Sequence, residues 1–280
     1  MKYDVAADLE LAILAAGEAG VIVMKSFRTE QQVTHKSPDQ PLTQADLAAD
    51  AALKRMLLGN RPEYGWLSEE TADHPDRLQR RYVWIVDPID GTRSYVDGYA
   101  EFAISIGLVE NHRPVLGVVF NPATDEMYAA RAGGGAWRVG GTGLHVRGTR
   151  TPRALVASRS EVREGEFAEF GDFEIHQTGS TAYKLVKVAA GEAEVFLSRG
   201  PKSEWDVCAG ALIVDEAGGC TTDLRGRELR YNQPDTRVYG ILATNSALHS
   251  ELIDRVAALP AARRLADWTK PRDDDESEYL

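Results

Sequence analysis

The chain begins with apolar residues at helical spacing. Within residues 5–26 the apolar positions run from Leu9 and Ile13 to Val21 and Met24, about one helical turn apart. This spacing predicts an amphipathic helix that packs against a sheet.

A second helix is predicted after a polar segment. Residues 30–40 are polar and indicate a mobile loop, and Thr43–Asp46 has the sequence of a helix start. The apolar residues that follow, Leu47, Ala51 and Met56, predict its buried face.

Short apolar runs in the middle of the chain predict strands. Tyr82–Val86 is rich in β-branched and aromatic residues and is expected to end at Asp87, because Pro88 cannot continue a hydrogen-bonded ladder. Three later runs separated by turns predict a β meander: Ile104–Val109, Val115–Phe120 and Met127–Ala130. Gly133–Gly135 lacks the spacing of a nucleotide-binding loop and predicts a tight turn.

Strands alternate with helices in the second half of the chain. The predicted strands are 154–157, 195–197 and 238–243, the predicted helices begin near 180, 206 and 248, and 158–160 is a polar loop. The polar joint before Pro152 suggests an N-terminal domain over 1–150 and a C-terminal domain over 151–262, followed by a disordered acidic tail over 263–280. The predicted fold class is mixed α/β.

Composition narrows the choice of function. The 280 residues carry a net charge of −11, which disfavours nucleic acids and anionic membranes as partners. An anionic substrate would need a metal ion or well-placed cations. Only two cysteines are present, and the N-terminal residues fit neither a signal peptide nor a membrane span, so we expect a reducing cytoplasm.

The turn after Tyr82–Val86 carries the clearest candidate chemistry. Asp87 and Asp90 lie three residues apart, so both carboxylates can point at one divalent cation, with the Ile89 carbonyl as a neutral ligand. The alternative is an ordinary solvated turn, since Asp-Pro and Asp-Gly are common turn formers.

Other candidates also have structural explanations. Asp46 and Asp206 lie where a helix-capping carboxylate would, and the adjacent Glu69 and Glu70 could be solvated surface residues. Gly179 and Ser180 open a helix whose N–H groups could hold an anion.

Taken together and in order, these motifs resemble one family. Leu67–Glu70, Asp87–Thr92 and Trp205–Asp206 followed by an apolar helix resemble the magnesium-dependent, lithium-sensitive phosphatases of the inositol monophosphatase superfamily, over about residues 5–260. The resemblance implies a layered αβαβα fold of the type shared with fructose-1,6-bisphosphatase. It also permits a homodimer, although no stretch of sequence identifies an interface.

The resemblance implies a role for each motif residue. Two or three Mg²⁺ ions, or Mn²⁺ in their place, would be held by Glu69, Asp87, the Ile89 carbonyl, Asp90 and Asp206. Asp46 and Thr92 would position the attacking water, with Glu69 also taking part in catalysis, and Gly91 and Thr92 would offer N–H groups to the phosphate. The implied reaction is hydrolysis of a phosphate monoester without a phosphoenzyme.

The substrate is inferred from fewer residues. Inositol monophosphatases commonly carry a Glu seven residues before the metal-binding Asp of Trp-Asp, and this chain has Arg199 there, which suits a second phosphate better than a ring hydroxyl. Ser158 and Arg159 lie in a Ser-Arg-Ser loop that resembles CysQ-type enzymes. The sequence therefore favours a 3'(2'),5'-bisphosphate nucleotidase acting on 3'-phosphoadenosine 5'-phosphate, in the context of sulfur assimilation.

Further residues would line the nucleotide side of the pocket. Gly179, Ser180 and Lys184 are the candidates, with a solvated helix face as the alternative for Lys184. Inositol phosphate and sugar bisphosphates remain alternative substrates. A noncatalytic metal-binding protein is disfavoured because every metal-ligand motif is present, and no EF-hand loop occurs.

Overall fold

The computed structural model describes residues 4–29, 33–37, 40–149, 151 and 154–259. The helices are α1 (Val5–Met24), α2 (Gln44–Asn60), α3 (Thr92–Val96), α4 (Arg159–Arg163), α5 (Thr181–Ala189), α6 (Glu204–Glu216) and α7 (Ser246–Ala257). The strands are β1 (Val33–Ser37), β2 (Gln40–Thr43), β3 (Gly65–Ser68), β4 (Tyr82–Asp90), β5 (Ala103–Glu110), β6 (Arg113–Asn121), β7 (Glu126–Arg131), β8 (Gly135–Arg138), β9 (Ala154–Ala157), β10 (Glu174–Gln177), β11 (Val195–Ser203), β12 (Gly219–Thr222) and β13 (Arg237–Asn245).

Two large sheets and three helical layers form the body of the structure, and β1 and β2 make a separate two-stranded sheet. The first sheet has the order β3-β4-β5-β6-β7-β8 and the second β10-β9-β11-β13-β12. Helices α1 and α2 cover the outer face of the first sheet, α5 and α6 lie between the sheets, and α7 covers the second sheet. The mixed α/β class and the αβαβα layering are therefore confirmed.

Strand β4 explains the continuous apolar run in its sequence. Trp84 and Val86 pack towards α1 and α2, whereas Val83 and Ile85 pack towards the central helices. A strand buried on both faces has no polar face to alternate with its apolar one.

The end of β4 differs from the prediction. The strand continues through Pro88 to Asp90, and its register on β5 shifts between Asp87, which pairs with Ser105, and Asp90, which pairs with Ala103. The prediction that Pro88 ends the strand was wrong, because a bulge removes the need for the N–H group that proline lacks.

Helix α1 was predicted almost to its ends, but its buried face was partly misassigned. Leu9 is buried as expected, whereas Val21 is 64% exposed. Met24 is partly buried against the same core as Leu9. The prediction for Val21 was therefore wrong.

The buried face of α2 was also misassigned. Leu47 is 40% exposed, whereas Ala45, Ala49 and Leu53 are buried. Ala51 is exposed as well. The error arises because small alanines pack closely against α1 and β4, so the bulkier apolar residues do not define the packed face.

Two predicted loops are ordered elements. Within 30–40, β1 pairs with β2 in a hairpin, and the remaining positions lie outside the described residues. Residues 158–160 cap and begin α4 rather than forming a loop. Ser158 and Glu161 make a reciprocal capping box, a signal that the sequence contained.

The meander and its glycine turn are confirmed. Strands β5 to β8 pair antiparallel in sequence. At the turn, the N–H groups of Gly133 and Gly135 donate to the Glu216 carboxylate at 2.7 and 2.8 Å. This contact ties the turn to the end of α6.

The central helix α6 lies very close to the first sheet. A Cβ at Gly117 would come within 2.7 Å of the Ala209 carbonyl oxygen, and one at Gly107 within 2.7 Å of Cys208 Sγ. These glycines allow the close approach that brings the start of α6 to the end of β4.

Some predictions are not decided by this architecture. The domain boundary near residue 150 stays a prediction, and the acidic tail over 263–280 lies outside the described residues. Among the helices of the described residues, none is long and apolar enough to cross a membrane.

Candidate active site

Three carboxylates from distant parts of the chain meet at one point. One oxygen each from Glu69, Asp87 and Asp206 lies within 4.8 Å of the others. Strands β3 and β4 are parallel neighbours in which Ser68 pairs with Val86, so the residues that follow, Glu69 and Asp87, lie side by side. Helix α6 supplies Asp206 in its first turn.

The Asp87 carboxylate has the environment expected of a metal ligand. Its Oδ1 accepts the Ile89 N–H at 2.9 Å, but its buried Oδ2 has no hydrogen-bond partner among the described residues. Burial, followed by repulsion from Glu69 and Asp90, raises its pKa well above the usual value. A hard divalent cation would satisfy this oxygen and offset the repulsion.

Asp90 and Asp206 are each held by one oxygen. Asp90 Oδ2 accepts the Ser180 hydroxyl and the Ala182 N–H, both at 2.6 Å. Asp206 Oδ2 accepts the Ser203 N–H at 2.9 Å. These bonds orient the second oxygen of each carboxylate, so the residues present fit an oxygen-ligated ion such as Mg²⁺.

The same two carboxylates have perturbed acidity. Burial raises the pKa of Asp90, and hydrogen bonds from Ser180 and Ala182 partly oppose this shift. Burial, with Asp90 and Glu69 nearby, raises the pKa of Asp206 to about 8. A cation in the cluster would return these groups to the ionised form.

Asp46 contacts both the start of α2 and Thr92. Its Oδ2 accepts the Thr43 N–H at 2.8 Å and the Thr43 hydroxyl at 2.6 Å, which completes the capping box of α2. Its Oδ1 lies 3.1 Å from Thr92 Oγ1, which is also 3.0 Å from the Ile89 carbonyl. Asp46 therefore links the start of α2, through Thr92, to the end of β4, which carries the candidate ligands.

A further aspartate orients the Glu69 segment. Asp50, one turn beyond Asp46 on α2, accepts the hydroxyl of Ser68 and, at 2.6 Å, that of Thr71. Sequence reasoning missed Asp50, although its spacing of four from Asp46 placed both on one side of the helix.

Two glycines let the start of α5 pack against the turn after β4. Gly91 has φ +94°, and a Cβ there would lie 3.0 Å from the Ser180 nitrogen. A Cβ on Gly179 would lie 2.1 Å from Ser94 Oγ. The Gly179 N–H donates to Glu101 at 2.9 Å, and Glu101 also pairs with Arg159 at 2.6 Å.

The carboxylates open into a cavity of about 440 Å³, here called the carboxylate cleft. The predicted site residues that line it are Glu69, Asp87, Asp90, Gly91, Thr92, Ser158, Arg159, Gly179, Ser180, Lys184 and Asp206. Asp46 and Ile89 contact the lining residue Thr92 from behind. Lys184 is only 2% exposed, so the solvated alternative for it was wrong.

Arg199 is not part of the carboxylate cleft. Its guanidinium is buried and pairs with Glu166 at 3.0 Å. The neighbouring Ser198, and not Arg199, donates to Glu161, which lies beside the lining residue Lys202. The inference that Arg199 reads a second phosphate therefore loses its structural basis.

We expect Arg199→Met to affect stability rather than substrate selectivity. Removing one member of a buried ion pair leaves the other charge desolvated, which costs on the order of 3 kcal/mol. The melting temperature should fall by several degrees, while the ratio of kcat/KM for bisphosphate and monophosphate substrates stays unchanged. A selective loss of bisphosphate turnover at unchanged stability would contradict this assignment.

Sequence reasoning missed several residues that line or support the cleft. Basic side chains of Arg93, Arg163 and Lys202 line it. Glu101 and Glu161 hold basic residues in place from the sides. Lys202 lies four residues before Asp206, and that spacing was the only signal available.

Comparisons with known proteins agree with this geometry. Residues 4–261 match the model of the inositol monophosphatase family. The chain is 37% identical over 237 residues to an inositol-1-monophosphatase of Rhizobium meliloti, covering 78% of this chain and 86% of that protein.

Solved structures share the fold of this chain. The extragenic suppressor protein suhB of Bartonella henselae superimposes with a TM-score of 0.79 at 27% identity, covering 90% of this chain and 99% of that one. CysQ of Bacteroides thetaiotaomicron gives a TM-score of 0.72 at 28% identity, covering 85% and 97%. The layered fold, the carboxylate cluster and the match along nearly the whole chain lead to one conclusion: the protein belongs to the inositol monophosphatase family and is a phosphatase of that superfamily.

Proposed function

We propose that the protein is a Mg²⁺-dependent phosphomonoesterase whose preferred substrate carries a second phosphate. The observation that supports this proposal is the charge of the carboxylate cleft. Beside the metal-ligand carboxylates, five basic side chains line it: Arg93, Arg159, Arg163, Lys184 and Lys202. On a chain with a net charge of −11, such a local group of cations favours a polyanionic ligand.

A nucleoside 3',5'-bisphosphate such as 3'-phosphoadenosine 5'-phosphate is the first candidate. It offers one phosphate to the carboxylate cluster and its metal ions and a second to the basic side chains. The proposal no longer depends on Arg199. It depends on basic residues that line the cleft itself.

The metal ions and the protein divide the chemistry between them. Mg²⁺ held by Glu69, Asp87, Asp90, Asp206 and the Ile89 carbonyl would supply Lewis-acid stabilisation of the phosphate. Thr92 would direct its hydroxyl proton to Asp46, so that its oxygen lone pair accepts a proton of the attacking water and holds that water in place. Gly91 and Thr92 would contribute backbone N–H groups to the phosphate oxygens.

Inositol 1-phosphate is the second candidate. The relative of Rhizobium meliloti described above is named an inositol-1-monophosphatase. The cleft also offers hydroxyl-binding groups, including Asp97 and Ser160, that a polyol could use.

Three further features complete the proposal. Lithium should inhibit the enzyme, and Mn²⁺ should replace Mg²⁺. Cys208 and Cys220 are both free thiols, which suits a reducing cytoplasm. A homodimer stays a prediction.

Phosphate release tests the proposed function. With the same Mg²⁺ concentration, kcat/KM should be higher for 3'-phosphoadenosine 5'-phosphate than for inositol 1-phosphate, and chelation by EDTA should abolish both activities. A clear preference for inositol 1-phosphate would replace the first candidate by the second. Full turnover after metal removal would overturn the metal-dependent mechanism altogether.

A further inference from the structure

Lys202 is a partly buried cation with unused hydrogen-bonding capacity. Its side chain is 14% exposed and lines the carboxylate cleft. Its nearest ionic partner is Glu161 Oε1 at 3.7 Å, which is beyond hydrogen-bond distance. Among the described residues, no acceptor makes a hydrogen bond with its ammonium group. A desolvated ammonium of this kind is costly unless a ligand accepts its protons.

Glu161 holds Lys202 in place without satisfying it. The Glu161 carboxylate is buried and accepts the Ser198 hydroxyl at 2.5 Å, the Ser158 N–H at 3.3 Å and the Ser158 hydroxyl. Although burial opposes ionisation, Lys202, Lys184 and these hydrogen bonds lower its pKa to about 2. Glu161 is therefore a fixed negative charge whose hydrogen bonds are made to serines.

A second lysine lies on this side of the cleft. Lys184 is buried, with Nζ 3.4 Å from the Thr178 carbonyl and 5.4 Å from the centre of the Phe196 ring. Both ammonium groups thus interact with Glu161, and Lys184 also interacts with the candidate metal ligands Asp90 and Asp206.

Arg159, another basic residue that lines the carboxylate cleft, already has close partners. The Arg159 guanidinium pairs with Glu101 at 2.6 Å and stacks 4.4 Å above the Tyr99 ring. Within the described part of the chain, Lys202 has no carboxylate at hydrogen-bond distance and no aromatic ring beneath its ammonium, since Glu161 lies 3.7 Å away. Of these two, Lys202 is the one whose donors remain available.

We propose that Lys202 binds the second phosphate of the substrate, the one that is not hydrolysed, and that Glu161 is its positioning residue. This inference rests on the proposed function. A phosphate dianion in the cleft would accept the hydrogen bonds that the Lys202 ammonium does not make within the protein. The α4 side of the cleft thereby becomes the subsite that distinguishes bisphosphates from monophosphates.

The test uses two substrate pairs that differ only in the second phosphate. These are 3'-phosphoadenosine 5'-phosphate with adenosine 3'-phosphate, and inositol 1,4-bisphosphate with inositol 1-phosphate. In the unmodified enzyme the bisphosphate should have the higher kcat/KM in at least one pair. Lys202→Gln should lower the ratio of kcat/KM for the bisphosphate to kcat/KM for the monophosphate about tenfold or more. The loss should lie mainly in the KM of the bisphosphate, because a charged hydrogen bond is lost.

A binding measurement separates the subsite from turnover. Adenosine 5'-phosphate carries only the second phosphate, so its inhibition constant should rise by a similar factor in Lys202→Gln. Lys202→Arg should restore part of the discrimination because the charge is retained. Lys187→Gln is the matched control, since Lys187 pairs with Glu192 at 2.8 Å and does not line the cleft, and it should leave both readouts unchanged.

Failure of the inference can be told from failure of the proposed function. If the unmodified enzyme prefers neither bisphosphate, the proposed substrate class is wrong. If it prefers one and Lys202→Gln keeps that preference, the role of Lys202 is wrong. An equal loss on monophosphates and bisphosphates would place Lys202 at the reacting phosphate and would also overturn the inference.

Discussion

Replacing Asp206 by asparagine is expected to abolish phosphatase activity and, in metal-free protein, to raise the melting temperature. The neutral amide removes one anionic ligand, so the cluster of Glu69, Asp87 and Asp90 should hold Mg²⁺ too weakly for turnover. Without metal, the same change removes one of several repelling buried carboxylates. Weaker Mg²⁺ binding and a higher melting temperature of the metal-free protein should therefore appear in the same variant.

The pH dependence of metal-free protein follows from the same group. The pKa of Asp206 is about 8 in the folded chain and near 3.8 when exposed. Between these values the folded state binds a proton that the unfolded state has released, so stability falls as pH rises from about 4 to about 8. Asp206→Asn should flatten this decline, and saturating Mg²⁺ should suppress it in the unmodified enzyme.

Asp215→Asn is the matched control on the same helix. Burial raises the pKa of Asp215 to about 7, but this residue accepts the Thr221 N–H and lies outside the carboxylate cleft. Its substitution should leave Mg²⁺ affinity and kcat nearly unchanged. The two variants are compared by calorimetric titration with Mg²⁺, by thermal unfolding at several pH values and by phosphate release. Normal turnover by Asp206→Asn would remove Asp206 from the ligand set.

Thr92→Ala is expected to reduce kcat by about 10²- to 10⁴-fold while Mg²⁺ affinity and stability change little. The hydroxyl lies 3.1 Å from Asp46 Oδ1, where it would orient the attacking water. Alanine removes that orientation but leaves the backbone of the turn and the neighbouring carboxylates in place. Single-turnover kinetics at saturating Mg²⁺ would separate this loss from a change in substrate affinity.

Thr43→Ala is the matched control because it removes the other partner of Asp46. Thr43 donates its hydroxyl to Asp46 Oδ2 at 2.6 Å and caps α2. Its loss should cost about 1 kcal/mol of stability with a small effect on kcat. If Thr43→Ala were to lower kcat as strongly as Thr92→Ala, the role of Asp46 would be mainly structural.

The two substitutions therefore separate the capping and catalytic interpretations of Asp46. In the sequence these interpretations compete, because a carboxylate three residues after a threonine satisfies both. In the structure its two oxygens face different partners, Thr43 on one side and Thr92 on the other. The geometry therefore allows Asp46 to cap α2 and to contact Thr92 at the same time, and the kinetics of the two variants decide whether the second contact is catalytic.

The sequence predicted those features that depend on neighbouring residues. Apolar periodicity placed α1, and the short apolar runs placed the meander β5 to β8. The ligand roles of Glu69 and Asp206 came from the family resemblance, whereas local spacing alone picked out Asp87, Ile89 and Asp90 at the end of β4. Such features are encoded within a few residues and survive without knowledge of the rest of the chain.

Only the tertiary structure decided where side chains point and which residues far apart in the sequence contact each other. The buried ion pair with Glu166 holds Arg199 outside the cleft, and close packing of alanines buries a face of α2 that bulkier side chains did not mark. Lys202 became a candidate only when β11 brought it beside Glu161 of α4, 41 positions earlier in the chain. The sequence by itself determined the fold class and the acidic motifs, whereas the basic side of the cleft was decided by packing, because long-range contacts set where each charged side chain points.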